Sequence, residues 1–510
     1  MKKTYLMLAL AAGVLASCDM DKEPYNALPD TEATQTPTDF ANARIGLYSA
    51  LRSSIAGNSF VNATEIQCDN FNAVSGFSNT LGDMYRWDFN TSGSYFSTVY
   101  GNYQAMIARA NFIIDGYNNC DMSDPNNFSK TDIANTRVVK GDAFFTRAYA
   151  IFGLAQYFCN DYEPSTADAA NSGVSYQLHY APSSNAATYP ERYTQAQTYQ
   201  QIKDDLDSAA VYITAEGEPS YAYFSKDCIT ALRARVALAM DDYAGAARYA
   251  SELIDQGTYT LAEDAEELDD LWHNDGGNET IMQIPVPSRN ELPSNNGQIY
   301  QPYQAGQVPD YIPTKELLEL YSANDYRRAV YFNQQEITTN SGATAKVYAF
   351  NKYMDQGALY KKLSGYEYAR FVIEPKIFRI GEIYLIAAEA YAQLGDTENG
   401  THYLNELKAA RIKGYDIEAP ENQYADKTTL MNEVKNERRR ELLGEGTRLF
   451  DLKRWHEGVK RGTPQDRSIC NIPGASTTDL NQPAGAYRMT WPIPKHETDV
   501  NKKVKQNAGY

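Results

Sequence analysis

Asp69, Asp83 and Asp88 fall within one stretch, residues 58–97, that is rich in Asn, Ser and Gly. Two carboxylates flanking a sugar linkage are the working parts of a glycoside hydrolase, one as acid and the other as base or nucleophile, and no fixed spacing marks the pair. The chain carries 65 Asp and Glu, however, so neighbouring acids arise by chance and solvated loop acids are the plainer reading. No other catalytic arrangement is visible: GxSxG, HExxH, the P-loop pattern and GxGxxG are all absent. His179, His273, His402, His456 and His496 are too dispersed to spell a metal ligand set or a proton relay. The expectation is a protein that is not an enzyme and uses neither metal nor cofactor.

Binding is the remaining chemistry. Lys and Arg number 47 against those 65 acids, a net charge of -18, so a bulk attraction to phosphate backbones is missing and nucleic acid is not an expected partner. The 40 Tyr far outnumber the 18 Phe, a choice that suits surfaces where one side of the ring is wet. Tyr-rich cores explain it equally well. The sharpest charged block runs from Glu437 to Trp455. It reads as a helix whose Arg forks meet neighbouring carboxylates, then a turn at Gly444 and Gly446, then a second helix that buries Leu449, Leu452 and Trp455.

The elements that must position such groups are mostly helical. Thr38 and Asp39 offer caps to a helix with Phe40, Leu47 and Leu51 on one face. Val99, Tyr103, Met106, Ile107, Ala110, Ile114 and Tyr117 step by three and four, and Phe144, Ala148, Ile151, Ala155 and Phe158 do the same over 139–158. A partner helix follows at 198–213. Two helical hairpins are expected at 227–240 with 243–256 and at 377–394 with 398–412, lined by Ala where their helices approach. Such hairpins cannot bury both faces alone, so they stack, in the manner of degenerate tetratricopeptide units. Residues 58–97 and 160–195 read as irregular insertions. Over 257–313 repeated prolines forbid a long helix while Trp272, Tyr300, Tyr303 and Tyr311 supply rings, and short strands are expected at 280–285 and 345–351. The fold class is mainly α, a hairpin scaffold carrying long aromatic loops.

Lys2 and Lys3 precede an apolar stretch, Tyr5 to Ala16, of signal-peptide rather than membrane-spanning length. It ends in Leu15, Ala16, Ser17 and Cys18, which resembles the bacterial lipobox and implies a diacylglycerol thioether on Cys18, commonly with a third acyl chain on its amine. Several chains anchor durably where one is marginal. The polar run to Pro37 reads as an extended tether. Besides Cys18 the cysteines are Cys68, Cys120, Cys159, Cys228 and Cys470, an odd number with no CxxC, so no disulfide framework follows.

In this order, behind a lipobox, several segments resemble the RagB/SusD-like outer-membrane lipoproteins of Bacteroidetes. They are YQAMIARANFII (103–114), AFFTRAYAIFGLAQYFCNDYEP (143–164), RYTQAQTYQQIKDDL (192–206), FRIGEIYLIAAEAYAQLG (378–395), the Glu437–Trp455 block, and WPIP (491–494) with QNAGY (506–510). The family's Phe-Gly-Asp-x-Pro after the third helix is here Phe158-Cys159-Asn160-Asp161-Tyr162-Glu163-Pro164, a departure that bears on loop shape. The resemblance implies a signal peptide over 1–17, a lipidated tether over 18–37 and a body over 38–510, with an N-terminal part to 256 and a C-terminal part from 257. It further implies a non-catalytic binder at the outer membrane, facing the exterior and seated on a TonB-dependent transporter of the SusC type. It would capture a nutrient, most often an oligosaccharide.

A sugar presents apolar C–H faces between hydroxyls, so flat rings and hydrogen-bonding side chains are what a binder needs. The expected ligand platform is Trp87 with Tyr85, then Tyr300 and Tyr303, with Trp272 as a further member and Asp69, Asn70 and Arg86 as polar partners. For each ring the alternative is a core aromatic, whereas Trp455 and Trp491 are expected in the core. Peptide capture and a surface polysaccharide hydrolase are the competing functions.

Overall fold

This computed structural model describes residues 33–56, 60–77, 79–292, 300, 308–353, 359, 362, 373–470 and 480–510. The leader, Cys18, most of the tether and Tyr303 lie outside the described residues.

The first helix, α1 (Pro37–Ala50), is capped by Thr36 rather than Thr38 or Asp39. Pro37 lacks an N–H and fits the first helical position, so the box closes between the Thr36 hydroxyl and the Asp39 N–H, 3.2 Å, with the Asp39 carboxylate accepting the Thr36 N–H at 2.8 Å. Phe40, Leu47 and Leu51 are buried as one face. The following stretch is more ordered than its composition suggests, for it holds α2 (Phe60–Gln67), β1 (Phe71–Ala73) and α3 (Gly82–Tyr85). Next come α4 (Ser94–Asn119), α5 (Lys130–Phe158) and α6 (Gln195–Tyr212), packed side by side. α5 starts at Lys130 instead of Val139 because Ser129 and Asp132 cap each other's backbone. Gly153 on α5 makes room for α4, since a Cβ there would lie 2.3 Å from the Tyr103 ring.

α7 (Lys226–Ala239) and α8 (Tyr243–Asp255) form a hairpin. After it come α9 (Ala265–His273), β2 (Thr280–Gln283), β3 (Tyr311–Pro313), α10 (Lys315–Glu319), α11 (Tyr326–Tyr331), β4 (Phe332–Thr338), β5 (Thr344–Phe350) and β6 (Lys376–Arg379). β6 runs straight into α12 (Ile380–Leu394), which turns at Gly395, φ +82°, into α13 (Thr397–Arg411). α14 (Lys427–Glu441), α15 (Arg448–Arg454) and α16 (Lys495–Val500) complete the order. α8 packs on α12, and α14 packs on α12 and α13. Ala231, Ala234, Ala246, Ala250, Ala387, Ala388 and Ala390 are all buried at 0% exposure, which is how helices approach closely enough to seal the stack.

The strands form three antiparallel pairs: β1 with β3, β2 with β6, and the β4–β5 hairpin. Two large apolar bodies stand out among the described residues. One runs through the helices, and a second, largely aromatic, lies under the loops with Phe71, Tyr85, Trp272, Tyr300, Tyr311 and Phe350 among its members.

A buried ionic joint connects loops to scaffold. Glu441, at the end of α14, accepts from Arg327 (2.9 Å), Arg379 (2.6 Å) and Arg411 (2.9 Å), while Arg379 and Arg411 also bind Glu279 at 2.7 and 2.9 Å. Burial alone would raise the Glu441 pKa, and the three guanidiniums hold it well below the usual range instead. The block from Glu437 to Trp455 thus folds as helix, glycine turn and helix, with Gly444 and Gly446 both at positive φ and Leu449 and Leu452 buried. Trp491 is fully buried. Trp455 departs from expectation: it is half-buried, with its indole N–H donating inward to the buried Glu389 carboxylate at 2.6 Å. The five described cysteines are free thiols.

Candidate functional site

Asp69 and Asn70 lie between α2 and β1 and face inward. The Asp69 carboxylate takes two hydrogen bonds from Arg448, 3.0 and 2.8 Å, and lies 3.5 Å from Arg439, whose Nε–H donates to Asn70 Oδ1 at 2.7 Å. Burial would raise its pKa, but Arg439 and Arg448 outweigh that and keep the group ionised well below the usual carboxylate range. These two residues were expected to face a ligand. They are buried at 7% and 1% exposure because a sealed carboxylate needs cationic partners, and α14 and α15 supply them.

The rings are also turned inward. Tyr85 (2%), Trp87 (1%), Trp272 (2%) and Tyr300 (0%) are sealed, so they form the floor beneath the loops and not an open platform. Tyr300 packs on Phe71 and Phe350 at 4.6 and 5.0 Å between centroids; Tyr85 packs on Tyr311 at 5.6 Å, with the Arg461 guanidinium 4.3 Å from its ring. Trp272 lies on α9 with the Lys352 ammonium 3.9 Å from its ring centroid, and Trp87 packs towards Phe89 in the helical core. The physical reason is area: such rings stabilise most when fully covered, and Phe71, Phe350 and Tyr353 from distant chain segments share one cluster with Tyr85, Trp272 and Tyr300, while Trp87 is covered within the helical core.

What this floor supports is a strained polar rim. Asn79 (φ +63°), Leu81 (φ +53°) and Trp87 (φ +56°) all occupy the left-handed region that non-glycine residues avoid. Such strain persists only where surrounding packing enforces it, and it concentrates at ligand clamps. Arg461 ties together the backbone on either side of this stretch, donating to the carbonyls of Ile66, Phe71, Gln67 and Tyr85. Arg86, half-buried where the other described platform residues are sealed, donates to Asn79 Oδ1 at 2.9 Å and Asp83 Oδ1 at 3.3 Å. Asp83, Asp88 and Asn90 are exposed, and Phe77 is half-buried against Tyr311. This rim offers carboxylate and amide acceptors, guanidinium donors and one partly open ring. Sequence reasoning missed Phe77, Asn79 and Arg461; the nearness of Asn79 to Arg86 was the available signal.

Among the described residues one group has metal-binding types within reach of each other, Asp161, Glu163 and His456. His456 Nδ1 faces Asp161 at 3.2 Å and Nε2 faces Glu163 at 3.1 Å. Its two ring nitrogens point to different carboxylates, so the ring spans the two acids.

Residues 20–238 match the family model described as starch-binding associating with outer membrane, and residues 330–510 match the SusD family model. A SusD-like protein of Formosa agariphila is 23% identical across 99% of this chain and 98% of its own. Among solved structures, a SusD superfamily protein of Bacteroides thetaiotaomicron superposes with TM-score 0.76, at 21% identity over 92% of this chain and 99% of its own. A putative sugar binding protein of Bacteroides vulgatus gives 0.74, at 23% identity over 94% of this chain and 99% of its own. With the helical scaffold, the loop layer and both matched segments in agreement, the chain belongs to the SusD/RagB family.

Proposed function

We propose that the protein is a lipid-anchored, non-catalytic binder of oligosaccharide on the outer face of the outer membrane, which passes its ligand to a TonB-dependent transporter of the SusC type. The anchor is the acylated Cys18 behind a cleaved leader, and the tether to Pro37 gives reach. The stacked hairpins rest on the transporter while the loop rim meets the ligand. The observation that carries this reading is the rim from Phe77 to Asn90. It lies inside the segment matched by the starch-binding model, it is held in a strained backbone by buried aromatics, and its outward groups are hydrogen-bonding types.

Arg86, Asp83, Asp88 and Asn79 serve sugar hydroxyls, and Phe77 covers a C–H face. One ring contact adds about 0.5–1.5 kcal/mol beyond area burial, so capture is modest and release remains easy. Calorimetric titration of the mature protein against panels of oligosaccharides and peptides tests this. Saturable binding confined to oligosaccharides, weakened at least about fivefold by Arg86→Ala as expected for loss of a charged hydrogen bond, supports it. Binding confined to peptides replaces the ligand class, and new reducing ends after long incubation overturn the non-catalytic reading.

A further inference from the structure

A cavity of about 250 Å³ lies between the N-terminal helices and the C-terminal part, and none of the rim residues from Phe77 to Asn90 lines it. Tyr103, Tyr149, Phe152, Tyr157 and Phe450 give it flat walls, and Trp272, Arg438, Arg235 and Lys376 add polar groups. Phe152, Gln156 and Arg235 are only half-buried, so the cavity is not sealed. Its size falls below the ~300–1,000 Å³ of pockets for drug-sized ligands and suits a single ring.

The polar lining is unequally satisfied. Its carboxylates are occupied: Glu382 by Arg235 at 2.8 and 2.5 Å, Asp451 by Arg438 at 3.0 and 2.9 Å, and Glu445 by Arg379 at 2.9 Å and Lys352 at 2.6 Å. Two buried donors are not. Arg438 Nη1 and Trp272 Nε1 make no hydrogen bond, on side chains exposed by only 4% and 2%. Native proteins rarely leave such N–H groups unpaired, because each forfeits its full desolvation cost. The Trp272 ring lies near Lys352, Arg379 and Lys376, at 3.9, 5.4 and 5.6 Å from its centroid, and each of these cations is paired with a carboxylate: Glu445, Glu441 and Asp275 respectively. Spare donors beside spent acceptors favour a ligand that accepts hydrogen bonds, and a carboxylate is the acceptor that pairs a guanidinium most strongly.

We infer that this cavity is a binding site for a single-ring monocarboxylate, whose carboxylate meets the free Arg438 and Trp272 N–H groups and whose ring lies among the tyrosines and phenylalanines. Charge-assisted pairing with a guanidinium is the strongest use of such donors. The chemistry admits an aromatic acid or a uronic acid, and this site is independent of the oligosaccharide rim.

The test is calorimetric titration of the mature protein with benzoate and galacturonate, and with neutral benzyl alcohol and galactose. One of the acids binds at one per chain and at least about tenfold more tightly than its neutral counterpart, and which acid wins identifies the source. Trp272→Phe, which keeps the ring and removes the N–H, weakens that binding about five- to tenfold. Ala239→Phe, placed to fill the cavity, abolishes it while leaving oligosaccharide titration unchanged. No binding of either acid up to about 10 mM by the folded protein, or equal binding by acid and neutral probes, overturns the inference. So does undiminished binding in a folded Ala239→Phe or Trp272→Phe variant.

Discussion

The hairpin scaffold and the loop layer are held together by different forces. In the scaffold, alanine-lined faces of α7, α8 and α12 meet within and between hairpins: each helix packs on its hairpin partner, and α8 packs on α12 to join the two hairpins. In the loop layer, short elements from remote parts of the sequence are joined by buried arginine–carboxylate bonds and sealed aromatics; Asp69 and Arg448 are 379 positions apart. Local periodic packing tolerates variation in any one contact. A layer without long helices depends on a few non-local bonds, which fix it firmly enough to hold a strained rim.

That contrast is broken most severely at the joint. Glu441→Ala leaves Arg327, Arg379 and Arg411 buried around a missing charge, and breaking a buried pair in this way costs about 3–5 kcal/mol. Urea denaturation followed by far-UV circular dichroism is expected to show a loss at the upper end of that range, a large part of the ~5–15 kcal/mol of a typical native state. A change below about 1 kcal/mol would mean that the joint is solvated.

Trp87→Ala comes next. An open ligand ring would leave the melting temperature almost unchanged on truncation, whereas the buried ring seen here costs about 3–5 kcal/mol through lost burial and a cavity. Thermal unfolding of the variant distinguishes the two.

Glu65, on α2 beneath the layer, sharpens the comparison through pH. Burial pushes its pKa up from 4.5 to about 7, opposed by the Gly446 N–H that donates to Oε1 at 2.9 Å. A folded pKa above the unfolded one means that this group's stabilisation is complete below pH 4.5 and is lost as pH rises through about 7. The loss amounts to at most about 3 kcal/mol. Stability of wild type minus that of Glu65→Gln, measured in urea, is expected to fall between about pH 5 and pH 8. A flat difference would contradict the burial argument.

The scaffold was readable because its evidence is local. Spacings of three and four gave α4, α6, α7, α8, α12 and α13 to within a few residues, and the arginine block gave its own helix–turn–helix. The start of α5 slipped because Ser129 and Asp132 make a capping box upstream of the strongest apolar stripe. The loop layer was readable in composition and in the strands expected at 280–285 and 345–351, which appear as β2 and β5. Trp87 and Tyr85 look the same in a sequence whether a ring faces solvent or Tyr311, and the residues that cover these rings come from far along the chain. Asp69 and Asn70 were selected as polar loop residues; their arginine partners carried no local mark. Pairings such as β1 with β3 were invisible for the same reason.

The central claim is that the rim binds the oligosaccharide while the hairpins do not. Hydrogen exchange of the mature protein, with and without the tightest oligosaccharide of the panel at saturation, tests it most directly. New protection is expected across residues 74–92, with α7, α8, α12 and α13 unchanged. Protection confined to those hairpins, with the rim exchanging as before, would contradict the account.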